Sequence, residues 1–210
     1  MRRRIHQHHA FHLLLAAAKL GARSLGVEFN PELVALSQRA AAGLGLAEKA
    51  RFVQGDMFTA DISKATVLAL FLLPSNLSKL SSRFLDELRP GTRIVVNTFG
   101  IDGWKVASTD VAQGDCGAWC NVMLYVVPAK VAGIWRTAEG ELRLEQKAQW
   151  LTGTLHAGDS IRRIDFGNVQ GEQVTFSLGG AEYSAVLKGN TLVGSVKSRN
   201  GGPWTATRDH

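Results

Sequence analysis

The sequence predicts an α/β layer that is followed by a small antiparallel β-meander. Over roughly residues 16–128, apolar runs of strand length alternate with amphipathic helical segments, which is typical of a parallel sheet with right-handed crossovers. From residue 131 onward the apolar residues alternate in steps of two between glycine turns, and this part holds 12 of the 22 glycines. We therefore expect two domains, an α/β domain over 16–128 and a small all-β domain over 131–210.

The α/β part opens with a helix that ends at Gly21 and continues with the short apolar strand Ser24–Glu28. Pro31 suits the first turn of the next helix, and Asn30 suits its cap. Apolar residues at three- and four-residue spacing predict the buried stripe of this helix, which consists of Leu33, Leu36, Ala40 and Leu44.

Three further strands and a helix complete the α/β pattern, and the first of these strands begins at Arg51. The continuous apolar run Thr66–Leu73 predicts a strand that is buried on both faces. Pro74 ends this run, and the run Thr92–Asn97 predicts another buried strand. Between them, residues at helical spacing predict the inner face of a helix, namely Leu77, Leu80, Phe84 and Leu88.

The C-terminal part predicts short strands that are joined by tight turns. The alternating runs are Gly140–Gln146, Gln173–Leu178, Glu182–Leu187 and Thr191–Val196. Six aromatic residues are expected to form the core of this meander or partial barrel, namely Trp135, Trp150, Phe166, Phe176, Tyr183 and Trp204. A ligand cup lined by these residues is the alternative interpretation. The segment Pro128–Lys130 is expected to act as a hinge before this domain.

The net charge of +6 does not predict a nucleic-acid binder, because the positive excess is confined to one end. Residues 1–23 contain five basic residues and no acidic residue, whereas the remainder contains 19 basic and 18 acidic residues. A nucleic-acid interface would need a basic face on the folded body, so we expect no nucleic-acid partner. No apolar run reaches about 18 residues, so we expect no membrane span and a cytoplasmic location.

Two groups of metal-ligand residue types, one within residues 1–15 and one at Cys116 and Cys120, are not expected to bind metal. The first segment contains three consecutive arginines and four of the six histidines. His6 and His9 would share one face of a helix, yet we interpret residues 1–15 as an atypical leader without a structural role. Cys116 and Cys120 form only a C-x3-C pair, which we expect to stay reduced.

Two acidic residues follow predicted strands of the α/β part. Glu28 ends its strand and precedes a helix, where a carboxylate can accept hydrogen bonds from both hydroxyls of a nucleotide ribose. Asp56 follows the next strand, where it can accept a hydrogen bond from an adenine amine while the backbone N–H of Met57 serves a ring nitrogen. Because ligands of open α/β sheets bind at the carboxyl ends of strands, these residues predict a nucleotide site.

Four segments resemble the class I S-adenosylmethionine-dependent methyltransferases. They are GVEFNPELVALSQRAA (26–41), RFVQGDMF (51–58), ATVLALFLLPSNL (65–77) and LRPGTRIVVNTFGIDGW (88–104). The resemblance implies a Rossmann-like methyltransferase sheet over roughly residues 16–128, with S-adenosylmethionine as the cofactor. The LLP segment and the N-x-F-x4-W pattern are similar to the protein-lysine methyltransferase branch of that family.

The resemblance also implies which residues line the site. The cofactor-binding residues would be Glu28 at the ribose, Asp56 at the adenine amine, and Phe29, Met57 and Phe71 beside them. The substrate side would be lined by Leu73, Pro74, Asn76 and Asn97. No catalytic base is assigned, because an amine that arrives neutral needs only to be positioned for in-line displacement at the sulfonium methyl.

The chain departs from the family pattern at its start. Family members carry a glycine-rich loop after the first strand of the sheet, but this chain has no glycine before Gly21. Residues 2–15 occupy the place of that strand and loop. We therefore expect a truncated or altered N-terminus and a sheet without its first strand, in a form that is inactive or binds cofactor weakly.

The leading functional hypothesis is methyl transfer from S-adenosylmethionine to a nucleophile, possibly a protein lysine. The alternative is a non-catalytic binding or remnant protein whose β domain binds a small molecule or a protein. A dehydrogenase is disfavoured, because the glycine fingerprint that a dinucleotide needs is also absent.

Overall fold

The computed structural model describes residues 9–114, 116, 119–198 and 201–209. The basic start of the predicted leader, with Arg2–Arg4, His6 and His8, lies outside these residues. The described chain forms two compact units. The first comprises the residues through Ile62 together with Ala69–Phe71, and the second comprises Ser63–Leu68 and the residues from Leu72 onward.

The first unit packs two helices on a small parallel sheet. Its elements are α1 (His9–Lys19), β1 (Ser24–Glu28), α2 (Pro31–Gly43) and β2 (Ala50–Gln54). The strands β1 and β2 pair in parallel, with Ser24 opposite Ala50 and Glu28 opposite Gln54. The core between the helices and this sheet consists of Leu15, Ala18, Val34, Ala41, Ala50 and Phe52.

Helix α1 extends across the predicted border between leader and domain at residue 15. Leu15 is buried, and the ring of Phe11 lies 5.5 Å from the ring of Phe52 on β2. Residues 11–15 therefore contribute apolar contacts to the first unit. The domain division itself stays a prediction.

Helix α2 begins as predicted but buries a different stripe. The Asn30 side chain accepts a hydrogen bond from the Glu32 N–H at 2.9 Å, and Pro31 occupies the first turn. Val34 and Ala41 are buried, whereas Leu36 and Leu44 are 41% and 51% exposed. The predicted stripe is wrong by about one position, because the face of the helix that carries Val34 and Ala41 is the one that packs on the strands.

The second unit begins with a four-stranded sheet and one helix. Its elements are β3 (Val67–Leu70), α3 (Pro74–Glu87), β4 (Arg93–Asn97), β5 (Ser108–Val111) and β6 (Asn121–Val126). The strand order is β3-β4-β6-β5, and β6 is antiparallel to both β4 and β5. The strands β5 and β6 were not predicted from the sequence.

Helix α3 and strand β3 show where the apolar pattern was sufficient and where it was not. The predicted inner face of α3 is confirmed, since Leu77, Leu80 and Phe84 are all buried. The expectation that β3 is buried on both faces is wrong, since Val67 is 43% exposed. The reason is its place in the sheet, because β3 is an edge strand whose only neighbour among the described strands is β4.

The C-terminal part is antiparallel as predicted, and it closes into an eight-stranded barrel. Each strand pairs with the next along the chain, and closure comes from the pairing of the last strand with the first, Ala206 opposite Thr137. The strands are β7 (Gly133–Thr137), β8 (Gly140–Lys147), β9 (Trp150–Ala157), β10 (Ser160–Gln170), β11 (Gln173–Leu178), β12 (Ala181–Lys188), β13 (Thr191–Lys197) and β14 (Gly202–Arg208).

The barrel interior is filled by side chains. Trp135, Phe176, Tyr183 and Trp204 are buried, and the rings of Phe176 and Tyr183 stack at 4.6 Å. The void that remains among the interior residues is only about 10 Å³, which leaves no room for a ligand cup.

Two of the predicted core aromatics lie elsewhere. Trp150 and Phe166 are 40% and 51% exposed, and their rings meet edge to face at 6.1 Å. Placing them in the core was wrong, because an alternating pattern does not show which face of a strand points into a barrel.

The segment Pro128–Lys130 is fixed to the barrel and is not a hinge. The Ala129 N–H donates to the Gly171 carbonyl at 2.7 Å. The Gln146 side chain donates to the Ala129 carbonyl at 2.8 Å and accepts from the Val131 N–H at 2.7 Å. Ala129 and Val131 are buried, so these backbone groups depend on Gln146 and Gly171 for their hydrogen bonds.

Cys116 and Cys120 are joined by a disulfide, so the expectation of reduced cysteines is wrong. Their sequence separation of four places them on one loop, before β6. The described part of the chain contains no helix that is long and apolar enough to cross a bilayer.

Candidate functional site

The carboxyl ends of β1 and β2 bring the two predicted acidic residues to adjoining positions. Glu28, the last residue of β1, pairs with Gln54, the last residue of β2. The pairing continues past the strands, because the Gly55 N–H donates to the Glu28 carbonyl at 3.0 Å. Asp56 is the next residue along the chain. The two carboxylates therefore leave the backbone at the same end of two parallel neighbours.

Each carboxylate also organises the turn that follows its strand. An oxygen of Glu28 accepts a hydrogen bond from the Asn30 N–H at 2.9 Å. An oxygen of Asp56 accepts from the Phe58 N–H, also at 2.9 Å. Such local bonds are typical of acidic residues in turns and fix the carboxylates in space. Within the part of the chain that the structure describes, neither carboxylate forms an ion pair with lysine or arginine.

The other three predicted cofactor residues belong to the same unit. Phe29 lies in the turn between β1 and α2 and is 78% exposed, and its carbonyl accepts a hydrogen bond from the Gln54 side chain at 3.4 Å. Met57 is half-buried in the turn after β2. Phe71 follows β3 and is 37% exposed. An exposed phenylalanine beside a carboxylate is a surface on which an aromatic base can stack.

Three of the predicted substrate-side residues lie at the start of α3. Leu73 precedes the helix in an extended conformation, and its side chain is 59% exposed. Its carbonyl accepts hydrogen bonds from the N–H groups of Asn76 and Leu77, at 3.0 and 3.1 Å. Pro74 occupies the first helical position, where a missing N–H costs nothing.

The fourth of these residues, Asn97, ends β4 and is buried. Its side-chain amide donates to the carbonyls of Trp119 and Asn121, at 2.6 and 3.2 Å. Its side-chain oxygen accepts from the Thr98 hydroxyl at 3.0 Å. These bonds attach the end of β4 to the loop that carries Cys120. Asn97 thus has a structural use in this unit besides the substrate-side role predicted for it.

Thr98 was not singled out from the sequence, although its backbone is unusual. Its φ is +65°, a conformation that is rare for a β-branched residue. Its N–H donates to the Asn121 carbonyl at 2.9 Å, and this bond holds the strained turn in place. Strained residues cluster near functional sites, which makes the end of β4 part of the candidate site. Nothing in the letters around Thr98 signals this conformation.

Comparison with known proteins identifies the α/β part. Residues 12–108 match the family model of the ANTKMT methyltransferase domain. A protein-lysine N-methyltransferase of Saccharolobus islandicus (strain REY15A) is 38% identical over 106 residues, which are 50% of this chain and 65% of the relative. A lysine N-methyltransferase of Xenopus laevis, named for an ATP synthase subunit, is 28% identical over 92 residues, 44% of this chain and 41% of the relative.

A solved structure agrees with these relatives. The crystal structure of an RNA methyltransferase from Salinibacter ruber in complex with S-adenosyl-L-homocysteine is 36% identical, with a TM-score of 0.52. The match covers 57% of this chain and 76% of that chain. The fold and the strand-end carboxylates thus define a Rossmann-type methyltransferase domain.

The chain belongs to the class I S-adenosylmethionine-dependent methyltransferases, in the branch of the protein-lysine methyltransferases. The resemblance seen in the sequence is thereby confirmed, and S-adenosylmethionine is the cofactor of this class. The chain spans less than two thirds of the length of the curated relatives that it matches. The barrel strands, from Gly133 to Arg208, lie beyond the residues that match the family model.

Proposed function

We propose that this protein transfers a methyl group from S-adenosylmethionine to a lysine amine of another protein. The observation that supports the proposal best is the pair of carboxylates, Glu28 and Asp56, at the ends of adjacent parallel strands. The names of the curated relatives, which are lysine methyltransferases, support the same acceptor.

The residues of the first unit fit the adenosine half of the cofactor. Glu28 would accept hydrogen bonds from the ribose hydroxyls, and Asp56 would accept one from the exocyclic amine of adenine. Neither carboxylate is neutralised by a lysine or arginine among the described residues, so each can accept from neutral donors of a ligand. The Met57 N–H would serve a ring nitrogen, and Phe29 and Phe71 would contact the base.

The bound cofactor supplies a sulfonium methyl group that an amine can displace in line. This chemistry depends mainly on the position of the amine and on its being neutral. In this proposal Leu73, Pro74, Asn76 and Asn97 belong to the acceptor side. We assign no catalytic base to the chain.

The methionine half of the cofactor has a poorer fit. The family binds it with a glycine-rich loop that follows a first strand, whereas here the residues before β1 form the helix α1. The described part of this helix contains no glycine, and β1 pairs only with β2 among the described strands. We therefore propose that the first strand and loop of the family sheet are missing and that this form holds the cofactor weakly.

Adenosine titrations followed by NMR test the nucleotide site. In this proposal the Glu28→Ala substitution weakens adenosine binding about tenfold or more, because it removes an ionised acceptor of two hydrogen bonds. Glu48→Ala, which removes an exposed acid of the same unit, is the matched control and leaves binding unchanged. Equal affinity in both variants would contradict the assignment of Glu28.

An RNA acceptor is the second candidate, because the Salinibacter ruber structure is described as an RNA methyltransferase. The nearly balanced charge beyond residue 23 favours a protein acceptor instead. Labelled S-adenosylmethionine, incubated with the protein and with separate protein and RNA fractions of a lysate, distinguishes the two. Label in lysine supports the proposal, and label in RNA only overturns it.

The remaining partners and the location are also proposals. A cytoplasmic location predicts recovery of the protein in the cytosolic fraction. The disulfide between Cys116 and Cys120 points the other way, since disulfides persist mainly in oxidising compartments. The non-catalytic alternative predicts no labelled product in either fraction and retains a binding role for the barrel.

A further inference from the structure

A cleft of about 150 Å³ opens on the outside of the barrel, entirely within the second unit. On one side it is bounded by Lys105 and Val106, which precede β5, and by Val126 of β6. The barrel supplies the other side through Gln149, just before β9, and Asn168 of β10. The volume equals that of the engineered apolar cavity that accepts benzene in another protein, so a small organic molecule fits.

The floor of the cleft is polar and held rigidly. Gln149 and Asn168 are only 2% and 7% exposed. The Gln149 side chain accepts from the Lys105 N–H and donates to the Val126 carbonyl, both at 3.2 Å. The Asn168 amide donates to the Gln149 carbonyl at 3.2 Å. Because these amides are bound to the backbone, the cleft keeps its shape without a ligand.

Lys105 supplies a positive charge that no acidic residue balances. Its ammonium donates to the Asn168 side-chain oxygen at 3.3 Å. Within the described ranges it forms no ion pair, in contrast to Lys130, which is paired with Asp86 at 2.9 Å. An ammonium group carries three donors, so Lys105 can still bind an anion at the cleft.

Two exposed aromatic rings stand beside this charge. The Lys105 ammonium lies 5.3 Å from the centre of the Phe166 ring and 5.8 Å from that of the Trp150 ring. The indole N–H of Trp150 donates to the Gly103 carbonyl at 3.1 Å, which fixes the orientation of its ring. A cation flanked by fixed, exposed aromatic rings presents both an anion site and an apolar surface.

We propose that this cleft is a binding site for a small carboxylate with an apolar or aromatic body. The carboxylate would accept hydrogen bonds from Lys105, and the body would lie against Trp150 and Phe166. The site is separate from the carboxylate pair that we assign to the cofactor, and it would give the barrel a ligand-binding role of its own.

Benzoate titrated into the full chain, with binding followed by NMR shifts of the Trp150 indole, tests the proposal. We expect saturable binding of benzoate and binding of the neutral analogue benzamide that is weaker by about tenfold or more. The Lys105→Gln substitution should lower benzoate affinity to the level of benzamide. Lys188→Gln removes an exposed lysine that does not line the cleft and should leave benzoate affinity unchanged.

The two ligands keep the test informative even if a variant is destabilised, because benzoate and benzamide are compared on the unmodified protein first. A second variant, Phe166→Ala, should weaken both ligands while preserving the preference for the carboxylate. Equal binding of benzoate and benzamide by the unmodified protein would overturn the proposal. Absence of saturable shifts at the Trp150 indole would overturn it as well.

Discussion

At the residue scale, Asp56 combines two uses that a pair of substitutions separates. One of its oxygens accepts from the Phe58 N–H and shapes the turn after β2. An amide side chain can keep this bond through its own oxygen, but its nitrogen is a donor and cannot accept from an adenine amine. Asp56 is therefore a residue at which stability and ligand binding respond differently to substitution.

We predict that Asp56→Asn leaves the stability of the protein nearly unchanged and weakens adenosine binding about tenfold. Asp56→Ala should weaken binding equally and also lower the free energy of unfolding by about 1 kcal/mol, the usual effect of losing such a local bond. Thermal melting and adenosine titrations of both variants provide the measurements. Unchanged adenosine affinity in Asp56→Asn would restrict the residue to the turn.

The buried Tyr183 makes the barrel sensitive to high pH. Burial raises the pKa of its hydroxyl, and the nearby Glu139 carboxylate, which accepts from the hydroxyl at 3.2 Å, raises this pKa further. A phenol with a raised pKa in the folded state contributes stability that is fully present below the unfolded pKa of about 10. This contribution is lost as the pH rises through the higher folded pKa.

We predict that the melting temperature of the protein falls between pH 9 and pH 11 more steeply than that of a Tyr183→Phe variant, whose ring cannot ionise. The quantity to compare is the difference in melting temperature between the two proteins at each pH, which removes the titration of other groups. A difference that stays constant over this range would contradict a role for Tyr183.

At the scale of elements, the junction before the barrel depends on one side chain. Gln146 of β8 accepts from the Val131 N–H and donates to the Ala129 carbonyl, and both of those residues are buried. Removing the amide leaves these backbone groups without their partner. Each unsatisfied buried group costs about 1–3 kcal/mol.

We predict that Gln146→Ala lowers the free energy of unfolding by about 2–4 kcal/mol, as the sum of these penalties. Gln173→Ala, which removes an exposed glutamine at the start of β11, should change it by less than about 0.5 kcal/mol. Urea denaturation of both variants measures the two values. Similar stability of the two variants would show that water replaces the Gln146 amide.

The same elements show what the sequence could predict. Caps and apolar spacing predicted α2 and α3 because those signals lie within one turn of helix or a few residues of it. Strand ends predicted the adjoining positions of Glu28 and Asp56. The edge position of β3 and the closure of the barrel through β7 and β14 were not predicted, because strand pairing joins residues far apart in the chain.

At the scale of the whole molecule, the α/β strands form two separate sheets rather than one. β1 and β2 make a two-stranded sheet, and β3 to β6 make a four-stranded sheet. A sheet of two strands is marginally stable and depends on its helices for support. The segment that precedes β1 therefore decides how well the first unit holds a ligand.

We predict that replacing residues 1–15 with a first strand and glycine-rich loop of the family pattern tightens S-adenosylmethionine binding by about 100-fold or more, because several hydrogen bonds to the methionine half are regained. Calorimetry on both proteins measures the gain. Adding Glu28→Ala to the replaced chain should abolish it, and a loop with alanines for glycines is the control. Micromolar binding by the unmodified 210-residue chain would contradict this prediction.

Closure of the barrel brings its first and last strands side by side. Arg208 of β14 donates to the carbonyls of Lys130 and Ala132, at 2.7 and 3.1 Å, and the Asp209 N–H donates to the Ile134 carbonyl of β7. The polypeptide thus enters and leaves the barrel at one point on its rim. A module with this geometry can be spliced into a surface loop of a host protein, or cut and rejoined at another turn, while its ring of strands stays intact.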